Sequence, residues 1–234
     1  MRRSAIAWGV AALCAAWIPW VTGSAAIAQT RSASASGPVS NALAHVDRYF
    51  ITQYAQHRYN PNQPGAALNA NCGPTSLAMA LRAFGKEPRT MADAAGAYRL
   101  IRSVRIAMTG SDDEDDWTYP VQIKDAARQY GLHSRIVFTL PKIESAMSVP
   151  GRLMIVNVNP CPAYVDQLAY RCDGGHFALL TRIAGDRAFL NDPLGPGPIV
   201  ITLKQLDKAL TTPLGRDASG HEIAPFDGGV LLWR

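Results

Sequence analysis

The sequence predicts an α+β fold in which N-terminal helices pack on a mainly antiparallel β-sheet. Two observations carry this. Between residues 72 and 130, apolar side chains recur at three- and four-residue steps, the period of a helix. From Arg135 onward the pattern changes to short aliphatic and β-branched runs at 135–138, 153–158, 176–183, 188–190, 198–203 and 230–233. Helices followed by strands is the order expected of an α+β domain, and no internal repeat interrupts it.

The chain opens with Arg2 and Arg3, an uncharged apolar run from Ala5 to Val21, and Ala26-Ile27-Ala28 before Gln29. This is the pattern of a cleaved secretory signal over 1–28. The run is short for a membrane span and Pro19 breaks it, so cleavage is favoured over an anchor. Residues 29–39 are small and polar and read as a flexible leader, leaving 40–234 as one domain. The expected location is periplasmic or secreted, with no stable membrane insertion after cleavage. The formal charge of +5 loses Arg2 and Arg3 and becomes +3. That charge is ordinary for a soluble surface. No basic run with interleaved aromatics suggests a nucleic-acid partner.

Ser40 can cap a helix over 41–56, with Leu43, Val46, Phe50 and Tyr54 on one face. Asn60 to Gly65 is turn chemistry. A helix follows Cys72, with Pro74 in its first turn, Leu77, Ala78, Leu81 and Phe84 on its apolar face, and Gly85 as its stop. A second helix is expected over 90–108, with Gly96 a weak point. Residues 110–116 are acidic. They read as a solvated loop that favours the N-terminus of a helix over 120–130, and they lack the glycine and terminal glutamate of a calcium loop. Thr202 caps a short helix over 203–210.

Of the four cysteines, Cys14 lies in the signal. Cys161 and Cys172 flank one short loop and are natural disulfide partners in an oxidising compartment. Such a bridge contributes about 2–3 kcal/mol. An odd thiol then remains, Cys72.

Cys72 sits where a helix begins, in Asn71-Cys72-Gly73-Pro74-Thr75-Ser76. A helix N-terminus and a neighbouring imidazolium both favour a thiolate, and the unpaired first-turn N–H groups can hold an oxyanion. Gly73 would leave room for a substrate carbonyl. His176 opens a strand after Gly174-Gly175, whereas His45, His57, His133 and His221 lie near helix surfaces, element ends or polar stretches. The imidazole needs an orienting partner. A two-residue turn at Gly185-Asp186 would put Asn191 on the His176 face. A three-residue turn through Ala184 would put Asp192 there instead. Trp117, Tyr119, Tyr164 and Tyr170 are candidates for a substrate groove.

The block Cys72-Gly-Pro-Thr-Ser-Leu-Ala-Met79, with Gly175-His-Phe-Ala-Leu-Leu180 and Asn191-Asp-Pro193 downstream, resembles the bacteriocin-processing peptidase family C39 and its C39-like relatives. The likeness covers roughly 63–198. It implies a papain-like cysteine peptidase fold, with Cys72 as nucleophile, His176 as base and Asp192 as the third triad member. The family usually carries an oxyanion glutamine about six residues before the cysteine. Here that position is Ala66, and Gln63 and Asn71 are the nearby candidates. The chain has none of the membrane or ATP-binding modules of bacteriocin transporters. The expected activity is therefore that of an exported cysteine peptidase (amide hydrolase) acting on a peptide or protein through an acyl-enzyme. The alternatives are an amide-forming transferase using the same triad and an inactive papain-like binding module. No cofactor is implied, and no paired Cys-x-x-Cys or His-x-x-x-His spacing suggests a metal.

Overall fold

The computed structural model describes residues 45–54, 70–88, 96–169 and 174–234. The expected signal, the leader, Gln63, Tyr170 and Cys172 lie outside them. All described residues belong to the unit spanning 38–234.

A six-stranded antiparallel sheet forms the centre, in the order β1-β8-β2-β3-β4-β5. Its strands are β1 (His133–Phe138), β2 (Leu153–Val158), β3 (His176–Ala184), β4 (Arg187–Asn191), β5 (Pro198–Thr202) and β8 (Gly228–Trp233), while β6 (Gly215–Arg216) and β7 (Glu222–Ile223) make a separate ribbon. Helices α1 (Cys72–Ala83), α2 (Gly96–Thr109) and α3 (Pro120–Gln129) cover one face. Helices α4 (Leu140–Met147) and α5 (Leu203–Thr211) cover the other. Strand alternation divides the two cores. Leu153, Ile155, Phe177, Leu179, Val230 and Leu232 face α1–α3. Met154, Val156, Ala178, Leu180, Leu190 and Leu231 face α4 and α5. A sheet buried on both sides explains why β2 is apolar almost throughout. Among the described residues, no helix is long and apolar enough to cross a membrane.

Helix α1 ends as its sequence dictates. Gly85 has φ +61°, its N–H donates to Arg82 O and the Lys86 N–H donates to Leu81 O, the paired bonds of a left-handed C-terminal cap. Helix α5 starts on Thr202, whose hydroxyl accepts from the Gln205 N–H at 3.2 Å.

Two expectations are corrected. The helix expected over 41–56 is only a 3₁₀ turn, Val46–Tyr49, in its described part. Tertiary bonds override the helical period there. The Gln53 N–H donates to Pro193 O, and the Asn191 amide reaches Val46 O. Helix α4 was not anticipated, although Pro141 in its first turn and Leu140, Ile143 and Met147 at helical spacing mark it.

Candidate active site

The start of α1, the start of β3 and the end of β4 meet at one end of the sheet. The first turn of α1 is fastened to β3 in two ways. Ser76 Oγ donates to Phe177 O at 3.2 Å. Gly73 is packed so tightly that a Cβ there would collide with Thr118 Oγ1 and meet Phe177 at 3.3 Å. This corrects the expected role of Gly73: it permits close approach of the helix to β3 and to Thr118, and it is buried rather than open to a substrate.

Cys72 is a free, partly exposed thiol at the first position of α1. His176 is buried, and its Nε2 lies 2.7 Å from Asp192 Oδ1. Cys72 lies close enough to the imidazole to bear on its pKa. Burial alone would push the His176 pKa down. The Asp192 carboxylate, by charge and hydrogen bond, and then Cys72 outweigh burial and raise it from 6.5 to about 10.

The hairpin carrying Asp192 solves the parity problem by a route the sequence does not display. The turn is the two-residue Gly185-Asp186, with Ala184 opposite Arg187 and Arg182 opposite Phe189. That register would carry Asn191 to the His176 face. A bulge between Leu180 and Arg182 shifts it by one, so that Leu180 faces Leu190 and Leu179 faces Asn191. Asn191 therefore turns toward the α1 side, donating to Val46 O at 3.1 Å, and Asp192 meets His176. Thr181, the extra residue, anchors the bulge by donating from Oγ1 to Phe189 O.

Asp192 is wholly buried and held on both oxygens. Its Oδ1 also accepts the Leu194 N–H at 2.9 Å, and its Oδ2 accepts the Tyr164 hydroxyl at 3.0 Å. Tyr164 is thus no groove residue: it is 1% exposed, behind the triad. Burial, reinforced by Asp192, holds its phenol well above the usual range. Trp117 and Tyr119 are exposed on either side of the buried Thr118.

Arg105 is a buried residue that the sequence analysis does not single out. It is 1% exposed. Its Nε donates to Asn71 Oδ1 at 2.8 Å, Nη1 donates to Asp113 O and Asp116 O, and Nη2 donates to Ala70 O. Burial lowers its pKa, and the nearby charges of Glu114 and Cys72 offset part of that. The acidic run is a loop with Asp112, Asp113, Asp115 and Asp116 exposed, as expected, and its backbone also forms a brace. Its Glu114 O accepts the Ala70 N–H, its Glu114 carboxylate accepts the Tyr98 hydroxyl, and Asp112 pairs with Arg102. The signal was a charge on an apolar stripe, since Ile101, Val104, Arg105 and Met108 share one face of α2. Asn71, one of the two oxyanion candidates, precedes Cys72 with its carbonyl oxygen turned to Arg105. Of the other histidines, His133 stacks on Trp233 and His221 sits beside Asp217 on the surface.

No family model matches the chain, and no curated protein matches it. Among solved structures it is similar to a double-glycine-motif protease from an AMS/PCAT transporter in complex with the leader peptide (19% identity, TM-score 0.44, covering 76% of this chain and 96% of that one). It is also similar to the peptidase domain of Streptococcus ComA, a bifunctional ABC transporter of a quorum-sensing pathway (12% identity, TM-score 0.46, covering 79% and 98%). A third likeness is to the peptidase domain of Streptococcus mutans ComA (12% identity, TM-score 0.40, covering 76% and 100%). At such scores these are likenesses only, and what bears on function is the geometry of the site itself.

Proposed function

We propose that this chain is an exported cysteine peptidase, an amide hydrolase with Cys72 as nucleophile, His176 as acid and base, and Asp192 as the orienting carboxylate. One observation carries the reading: a free thiol at a helix N-terminus bears on the pKa of an imidazole whose Nε2 is 2.7 Å from a buried carboxylate. The elevated His176 pKa suits a ring that carries a proton at neutral pH.

The sulfur attacks the carbonyl carbon of a peptide bond. The carbonyl oxygen becomes an oxyanion, stabilised by the first-turn N–H groups of α1, with Asn71 or Gln63 as the side-chain donor. The imidazolium gives its proton to the departing nitrogen and a thioester remains on Cys72. The now neutral His176 takes a proton from water, hydroxide adds to the thioester, and the acid product leaves. Asp192 keeps the imidazole in the tautomer and plane that both transfers require.

Cleavage of the signal after Ala28 and a Cys161–Cys172 bridge belong to the same reading. Intact mass of protein recovered from the oxidising side of the membrane would begin at Gln29, and peptide mapping would link Cys161 to Cys172 while leaving Cys72 free.

The activity is tested by profiling a peptide library with wild type and Cys72→Ala. Turnover is expected to fall by at least about 10³-fold, with folding retained. Activity surviving in Cys72→Ala would overturn the assignment. Addition of a dilute amine acceptor separates hydrolysis from transfer, because a transferase passes most of the acyl group to the amine while a hydrolase passes most of it to water.

A further inference from the structure

We propose that Tyr164 is a positioning residue that holds Asp192, and through it His176, in the orientation the thiol chemistry requires. The inference rests on the peptidase reading and deepens it. Asp192 is fully buried, so each carboxylate oxygen needs a donor within the protein. His176 and the Leu194 N–H serve Oδ1; the Tyr164 hydroxyl serves Oδ2. Without that hydroxyl, Oδ2 loses its donor, and rotation of the carboxylate to find another pulls Oδ1 away from His176. Tyr164 is itself fixed. Its N–H donates to Pro160 O, its carbonyl accepts the Gln167 N–H, and Gln205 of α5 holds the neighbouring Ala163 O. The groups that bear electrostatically on this corner are Asp192 on Tyr164, and Asp192 and Cys72 on His176. The hydroxyl therefore reaches the thiol only through the carboxylate and the ring.

The test is the rate of Cys72 alkylation by iodoacetamide in wild type, Tyr164→Phe, Asp192→Ala and the double variant. Near pH 6 the wild type should react faster than glutathione, and Tyr164→Phe should be about tenfold slower than wild type, the effect of one hydrogen bond to a charged group. Near pH 9.5, where a thiolate forms without help from an imidazolium, the two should agree within about twofold. In the Asp192→Ala background, Tyr164→Phe should cost nothing more, because the pathway is already cut. Equal rates for wild type and Tyr164→Phe near pH 6, or an undiminished loss in the Asp192→Ala background, would overturn the role of Tyr164. A wild type no faster than glutathione would overturn the peptidase reading instead. Tyr164→Met, which also lacks the hydroxyl but packs flexibly, supplies the same readout should the phenylalanine variant fail to fold.

Discussion

The two halves of the site are built in opposite ways. Cys72 is positioned by local chemistry: a helix that begins at the cysteine, a proline in the first turn, and a glycine small enough to let the turn press against Phe177 and Thr118. His176 and Asp192 are positioned by register, over two strands and a bulge, with no local motif that fixes their meeting. Local chemistry tolerates error residue by residue. Register does not, because a one-residue slip exchanges the two faces of a strand.

The largest effect should therefore come from Asp192→Ala, which removes the carboxylate that the bulged register delivers to His176. Turnover is expected to fall about 10³-fold, in line with loss of a triad carboxylate. Adding Asn191→Asp should not recover it, because Asn191 pairs with Leu179 and faces the α1 side. Recovery by Asn191→Asp would show that the register does not decide which of the two residues serves His176.

The same contrast explains what the sequence disclosed. The start, stop and apolar face of α1 were legible, since capping and helical spacing are written within a few residues. So were the strands of the main sheet and the cap of α5. The choice between Asn191 and Asp192 was not legible from the residues alone, because a threonine at a bulge looks like a threonine in any strand. Family resemblance pointed to Asp192 for reasons unrelated to that geometry. The 41–56 segment misled because bonds from Asn191 and Pro193, far along the chain, outweigh a local apolar period. Tyr164, taken for a groove candidate, and Arg105, not singled out at all, were misjudged for a related reason. Their importance lies in partners 28 and 34 residues away in sequence, and only the folded chain brings those partners near.

The sheet half should also make stability depend on pH. The His176 pKa is raised from 6.5 to about 10 in the folded protein. The charged ring therefore stabilises the fold fully below about pH 6.5, and this contribution is lost as the pH rises through the folded value near 10. Denaturant melts should show wild type losing several kcal/mol across that interval relative to His176→Ala. Parallel pH profiles for the two proteins would mean that the Asp192–His176 pair does not support a proton.

On the helix side, Arg105→Met breaks the brace and removes a charge that bears on Cys72, while all three triad residues stay in the sequence. It leaves Ala70 O, Asp113 O, Asp116 O and Asn71 Oδ1 without the guanidinium that now donates to them. The expected cost is about 3 kcal/mol in chemical denaturation, typical of removing one side of a buried charged network. Because the brace holds the residues just before Cys72, alkylation of Cys72 should slow as well. A variant as stable as wild type would reduce Arg105 to a passenger of α2.

The smallest effect marks the limit of local control. Gly85 closes α1 with φ +61°, a conformation that an L-residue adopts only with strain, while the nearest atom to an added Cβ is the flexible tip of Arg234 at 3.2 Å. Gly85→Ala should thus cost about 1 kcal/mol through the backbone alone. The opposite end of α1 is held by Ser76 on Phe177 O and by Gly73 against Thr118, independently of how the helix stops. Thermal melts should show the small loss, while Cys72 alkylation stays at the wild-type rate. A matching fall in alkylation would mean that the nucleophile depends on the whole helix and not on its anchored first turn.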